Sequence, residues 1–352
     1  MDNNIVISTP PHIKGKRTTK CIMLDVLIAL IPAAVMGVVY FGLKALLLEA
    51  VAILGAVATE FVYYFIAQGG FKDKCANALE TCKKWLNQFD FTSAITGLIL
   101  ALIVPVTVNW YEVLIGSVFA VAVVKMLFGG TGKNLVNPAI TGRIFMFISF
   151  TLTVFIAPNF EAIKWWDLSA NLIPDDGVLQ VGATVLSGNL LQGKGVGTSL
   201  LDLLLGSGVA GCIGETCKVA IIAGYIYLCA RKIIKWWQPL LVVLSCGVLG
   251  TVLMSVQKEA FDIAFFLPSI LSGGLLFGAV FMATDYVTSP KGFAGQVIYY
   301  VAIGLFTALL RHYTKIEVIS FTIMLLNLVV PLIDIYTVRK PFGYKKTSKE
   351  GK

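Results

Sequence analysis

The sequence predicts an all-α polytopic membrane protein of about ten transmembrane helices, and three observations predict it. Of 352 residues, 57% are hydrophobic and 14% charged, against about 25% charged in an ordinary soluble domain. So little polar surface does not cover soluble domains of this length, and so much apolar surface excludes disorder. The apolar residues gather into runs close to the roughly 20 residues a helix needs to cross a hydrocarbon core. Finally, 21 of the 28 lysines and arginines fall on one side of the resulting map and six on the other, the bias that orients multispan proteins.

In chain order the runs are 21–42, 44–68, 91–108, 110–128, 141–158, 200–232, 238–255, 263–284, 293–311 and 317–337. The first 20 residues are polar and basic and the first run is full length, so no cleavable signal peptide is expected. Residues 69–90 read as a short amphipathic helix at the membrane surface. Asn137-Pro138 is a helix-start signature, because proline has no N–H to leave unpaired in a first turn; it puts the start of the fifth span at Asn137. The sixth run is too long for one straight span and is glycine-rich in its first half. It therefore reads as a broken or re-entrant helix followed by a span. Ser289-Pro290 repeats the start signal 152 residues after Pro138, which predicts a weak internal repeat.

The charge bias puts both termini in the cytoplasm and residues 159–199 outside. The expected organisation is a cytoplasmic segment (1–20), a first membrane half of five helices (21–158) and an extracytoplasmic loop (159–199). A second half of five helices, the first broken (200–337), and a basic cytoplasmic tail (338–352) follow. A loop as long as 159–199 in a compact bundle usually carries function or is disordered. The two histidines exclude a multi-haem membrane cytochrome. The seven cysteines form no C-x-x-C pair and read as small hydrophobes. The bilayer is the expected partner of this surface, and nucleic acid is not.

Gly206-Ser207-Gly208-Val209-Ala210-Gly211 matches a dinucleotide fingerprint letter for letter, but it lies among membrane residues without the strand that motif needs. Glycines here serve close packing or a helix break lining a cavity. Gly214-Glu215-Thr216 then puts a carboxylate at membrane depth, a functional candidate by default, with helix capping as the alternative. Phe128-Gly129-Gly130-Thr131-Gly132-Lys133-Asn134 fails as a phosphate loop, because Asn134 stands where Ser or Thr is required. Helix starts with glycine and amide side chains, as at Asn134 and Asn137 and in the Asp285–Pro290 loop, hold an anion or a flavin edge; plain capping is the alternative. The other intramembrane charges are Asp25, Glu60, Lys125, Lys218 and Asp334. The outer loop carries Gly182-Ala183-Thr184, a hydroxyl among small neighbours that is open to a modifying enzyme.

Together these residues resemble the D subunit of the Rnf electron-transport complex and, more distantly, the B subunit of the sodium-pumping NADH:quinone reductase. The resemblance rests on Pro11-His12, Ile22–Pro32, Thr92–Gly97, Gly129-Gly130 through Asn134 to Asn137-Pro138-Ala139, Gly182-Ala183-Thr184, Gly214-Glu215-Thr216 and Phe281–Asp285 to Thr288–Pro290, all in order. It implies a urea-transporter-like bundle of ten helices in the bacterial inner (plasma) membrane. It also implies FMN joined through its phosphate to Thr184 by a flavin transferase, with Val181 where that motif usually has Ser or Thr. Gly182 and Ala183 flank the attachment point, and Asn134, Asn137, Glu215 and Asp285 are the further cofactor-binding candidates. A second, non-covalent flavin, riboflavin, is implied within the bundle. The implied function is electron relay in an ion-translocating ferredoxin:NAD oxidoreductase, coupled to sodium or proton transport. No NAD or iron–sulfur motif, catalytic residue or metal ligand is evident here, so those tasks fall to other membrane and peripheral subunits. The alternative is a solute transporter or channel of the same fold without a redox role; the Thr184 loop separates the two.

Overall fold

The computed structural model describes residues 17–67, 78–155, 165–166, 200–206, 211–258, 265–314 and 316–337, and their regular structure is helical. In chain order the elements are α1 (Thr19–Phe41), α2 (Leu43–Ala67), α3 (Ala78–Gln88), α4 (Thr92–Leu102) and α5 (Trp110–Phe119), which runs on as a π-helix (Ala120–Met126). Then come α6 (Pro138–Ser149), α7 (Thr151–Phe155), α8 (Leu200–Leu205), α9 (Lys218–Ala230), α10 (Trp237–Lys258) and α11 (Phe266–Leu271). The last are α12 (Leu275–Phe277) with a second π-helix (Gly278–Met282), α13 (Phe293–Thr314) and α14 (Ile319–Thr337).

Five helices, α1, α2, α10, α13 and α14, are long and apolar enough to cross a membrane. The other predicted runs are met by shorter or interrupted helices, among them the apolar α4, α6 and α9. Leu54, Ile148, Val256 and Ile335 are exposed on the outside, while Leu30, Leu48, Leu100, Ile140, Tyr299 and Tyr300 are fully buried. A helix apolar on every side faces protein on one flank and lipid on the other, and this chain is an integral membrane protein. Helix α3 differs: its charged face is exposed, with Lys84 2.9 Å from Glu80, and the Lys84 hydrogen bond holds the Glu80 carboxyl below its usual range. Trp85 of the same helix packs on Phe61 of α2 at 5.1 Å. This is the amphipathic helix expected within 69–90.

Among the described residues, the interior is organised around three interruptions of helix: residues 103–109, 206 with 211–217, and 272–274. The sixth run is broken as its glycines predict. Gly206 has φ +83°, and a Cβ there would sit 2.5 Å from the Thr216 carbonyl oxygen. Buried backbone freed from a helix must find partners inside the protein, since lipid offers none. Accordingly, Ile213 N–H donates to the Val104 carbonyl at 3.1 Å and Gly214 N–H to the Leu102 carbonyl at 2.7 Å. The first interruption thus satisfies the second.

One order of elements occurs twice. A short helix, an interruption, a second helix ending in π-turns, a loop and a further helix make up α4 to α6, and the same series makes up α11 to α13. The repeat seen in two X-Pro steps is therefore a recurrence of element order. The steps themselves differ. Asn137 caps α6 with Pro138 in its first turn, whereas α13 begins at Phe293, beyond Ser289-Pro290. Ser289 N–H instead donates to the Asp285 carbonyl at 3.2 Å in a turn.

Candidate functional site

The two loops that follow the π-helices meet over one cleft of about 870 Å³, its open mouth included. Its floor is apolar, with Met23 and Val26 from the first turns of α1, Ile95 and Ile99 from α4, and Val280 and Phe281 from the second π-helix. Its rim is polar: Thr92, Lys125, Thr131, Asn134, Asn137 and Asp285. An apolar hollow with a few convergent polar groups is the usual form of a cofactor or ligand site.

Each rim group is placed by local chemistry. The Asn137 side-chain oxygen accepts from Ala139 N–H at 3.1 Å, and its amide donates to the Met282 carbonyl at 3.4 Å. Asn137 thus caps α6 and ties it to the second π-helix, so the capping reading describes its side chain. Asp285 accepts from Val287 N–H and the Thr288 hydroxyl, at 3.3 and 3.2 Å, which folds its loop over the cleft. Lys125, on the first π-helix, is 2% exposed. Its ammonium donates to the hydroxyls of Thr92 at 2.5 Å and Ser93 at 2.7 Å, and lies 3.6 Å from a Glu60 carboxylate oxygen. Thr92 in turn donates to Asp90 at 2.6 Å. Asn134 differs from all of these: its side-chain oxygen is buried and accepts no hydrogen bond.

Of the predicted site residues, Asn134, Asn137 and Asp285 come together at this cleft. Glu215 does not; it lies at the second helix interruption, where its Oε1 accepts from Cys212 N–H at 2.9 Å. Gly182, Ala183 and Thr184 lie outside the described residues. Two described residues on either side of them, Trp165 and Leu205, contact the C-terminal end of α1. The Trp165 indole donates to the Val39 carbonyl at 3.3 Å, and the Tyr40 hydroxyl donates to the Leu205 carbonyl at 2.7 Å. The cleft takes its α1 residues from the opposite end of that helix.

The profile of the NQR2, RnfD, RnfE family matches residues 6–343. The chain belongs to this family. It is 34% identical to the D subunit of the Na(+)-translocating ferredoxin:NAD(+) oxidoreductase complex of Acetobacterium woodii, over 99% of this chain and 98% of that one. It is 33% identical to the D subunit of the proton-translocating ferredoxin:NAD(+) oxidoreductase complex of Clostridium ljungdahlii, over 98% of both. The D subunit of an ion-translocating oxidoreductase complex of Alcanivorax borkumensis is 28% identical, over 98% of this chain and 99% of that one.

This NQR2, RnfD, RnfE family member also holds buried or half-buried charges that were not named from the sequence. Arg311, at the end of the ninth run, lies inside α13 at 3% exposure and pairs with Glu317. Arg143 donates to the Ser320 hydroxyl at 2.7 Å. Glu112 receives the Asn109 N–H at 3.2 Å and the Thr153 hydroxyl at 2.8 Å. The available signal was an ionisable residue within an apolar run, since Glu112, Arg143 and Arg311 all fall inside the predicted runs. Asp25, by contrast, was visible in sequence and is paired: Arg231 lies 3.0 Å away and the Tyr227 hydroxyl donates to it at 3.0 Å.

Proposed function

We propose that this chain is the flavin-carrying membrane subunit of an ion-translocating ferredoxin:NAD oxidoreductase complex in the bacterial inner membrane. The observation that carries this reading is full-length similarity to the D subunits of complexes so named, joined to the Gly182-Ala183-Thr184 attachment motif. The chain contributes no complete active site. It relays electrons between other subunits while the assembly moves sodium or protons, and relatives of nearly equal identity are named for each of those ions.

In this reading FMN is carried on Thr184, outside the cytoplasm, attached by a flavin transferase. The second flavin, riboflavin, occupies the cleft between the two loops. The residues there fit it: the unpartnered Asn134 oxygen would offer an acceptor to a flavin's polar edge, and the apolar floor would take a ring face. A flavin supplies one- and two-electron redox chemistry that no side chain of this protein offers. The protein's part is to bind and orient. Asn137 and Asp285 hold the loops, and Lys125, facing the Glu60 carboxylate, holds the hydroxyls of Thr92 and Ser93. The contacts of Trp165 and Leu205 with α1 and the cleft lie at opposite ends of that helix. A 23-residue helix spans about 35 Å at 1.5 Å per residue, so this separation supports a relay across the membrane. Both termini are cytoplasmic and the basic loops face inward, which puts Thr184 where the transferase works.

A channel or solute transporter of the same fold has no use for a tethered flavin. The test is to purify the chain from cells with a working flavin transferase, denature it, and inspect the gel band under ultraviolet light. A fluorescent band is expected; a dark band overturns the redox reading.

A further inference from the structure

The third helix interruption is closed by groups from three other segments. Helix α11 ends at Leu271, and the carbonyls it leaves without helical partners point at cations. Arg311 donates to the Ser269 carbonyl at 3.1 Å and to that of Ser272 at 3.5 Å. The Lys218 ammonium donates to the Gly273 carbonyl at 2.8 Å and also to the Glu215 carbonyl. Across the gap, Glu317 accepts from Gly274 N–H, where α12 begins, at 3.1 Å. Positive charge thus meets exposed carbonyls and negative charge meets an exposed N–H, as the polarity of helix ends requires.

Lys218 is the unusual member. It is the first residue of α9, yet it is 4% exposed. Its two hydrogen-bond partners are main-chain carbonyls from two separate interruptions. The Glu215 and Glu317 carboxylates favour its charge, and the Arg311 guanidinium opposes it. Unwound carbonyls with a carboxylate nearby are the hard oxygen donors by which broken membrane helices hold alkali cations. Here the chain's own ammonium takes that position.

We infer that the meeting point of residues 215–218 and 272–274 is a monovalent-cation site, filled from within by the tethered ammonium of Lys218. The tether locks two broken helices together. It also keeps the oxygen donors from a free alkali ion while Lys218 stays in place, so this interruption is a closed seam. The Lys218 ammonium meets two carbonyls, those of Glu215 and Gly273, so removing it leaves two oxygens that a free cation can use.

The experiment is thermal unfolding of the full-length chain in detergent, in 100 mM NaCl against 100 mM choline chloride, for wild type and Lys218→Ala. Wild type should unfold at the same temperature in both salts. Lys218→Ala should be less stable in choline and regain about 2–4 °C in sodium, a shift of the size expected when a ligand binds only the folded state. Lys218→Met keeps the apolar stem and removes the charge, so it repeats the test if the alanine variant is too unstable to purify in choline. Folding of either variant only when sodium is present also supports the site. A folded variant indifferent to sodium, lithium and potassium overturns it, as does failure of both variants to fold in any salt. Equal sodium stabilisation of wild type overturns it too, by showing that the site is not already filled.

Discussion

Arg311 and Glu317 form an ion pair buried on both sides, with side-chain exposures of 4% and 7%, across the turn that joins α13 to α14. Both partners also hold the helix interruption at 272–274: the arginine grips carbonyls, and the carboxylate receives the Gly274 N–H. Removing one charge strands the other in a low dielectric, which costs about 3–5 kcal/mol. Arg311→Met should therefore lower the unfolding midpoint in detergent sharply. The Arg311→Met/Glu317→Gln double variant should be less destabilised, because the amide still accepts from Gly274 and no lone charge remains. A double variant worse than the single would show that the pair's charge is not what matters.

Asn134 and Asn137 are three residues apart and predict opposite phenotypes. Asn134→Leu removes the free acceptor in the cleft and should weaken retention of the non-covalent flavin by about tenfold, the size of one hydrogen bond of about 1–1.5 kcal/mol. Fold stability should stay near wild type. Asn137→Ala removes the α6 cap and should cost about 1 kcal/mol of stability. Flavin extracted from the washed protein, measured beside the unfolding midpoint, separates the two. Unchanged flavin in Asn134→Leu counts against the cleft as its site.

Gly206 and Gly250 offer a matched pair. At Gly206 an added Cβ meets the Thr216 carbonyl at 2.5 Å with φ at +83°, whereas at Gly250 the nearest atom is the Ser269 hydroxyl oxygen at 3.5 Å. Gly206→Ala combines left-handed strain with a backbone clash and should lose about 2 kcal/mol or more. Gly250→Ala should be neutral or slightly stabilising. Thermal unfolding of both variants decides whether the interruption depends on that glycine.

Thr184→Ala should abolish covalent flavin while the bundle still folds. Ser187 is the nearby alternative acceptor, and peptide mass spectrometry separates them. An FMN adduct on Ser187 with Thr184 bare refutes the assignment.

Orientation is tested by labelling from outside the cell. An introduced Lys194→Cys should react with a membrane-impermeant thiol reagent, and Lys346→Cys should not. The reverse pattern would invert the topology and remove the ground for a transferase acting on Thr184.

The sequence determined by itself that this chain lives in a membrane, where its main helices run, and that the run 200–232 is broken. Those properties follow from composition and from single residues: apolar length fixes a span, Gly206 permits a turn, and Asn137-Pro138 starts a helix wherever they occur. The family was legible for the same reason, since its motifs are short and local. Only the tertiary structure decided which distant residues share a site. Asn134 and Asp285 line one cleft because two recurrent π-helices bring their following loops together. Glu215 left that group, because its interruption packs on residues 102–104 and on the seam closed by Lys218. Arg311 is a buried clamp, because helix-end carbonyls 39 to 42 residues away in sequence needed a donor. A buried polar group is satisfied by whatever the fold brings within about 3 Å, and that proximity is not encoded in any local stretch of sequence.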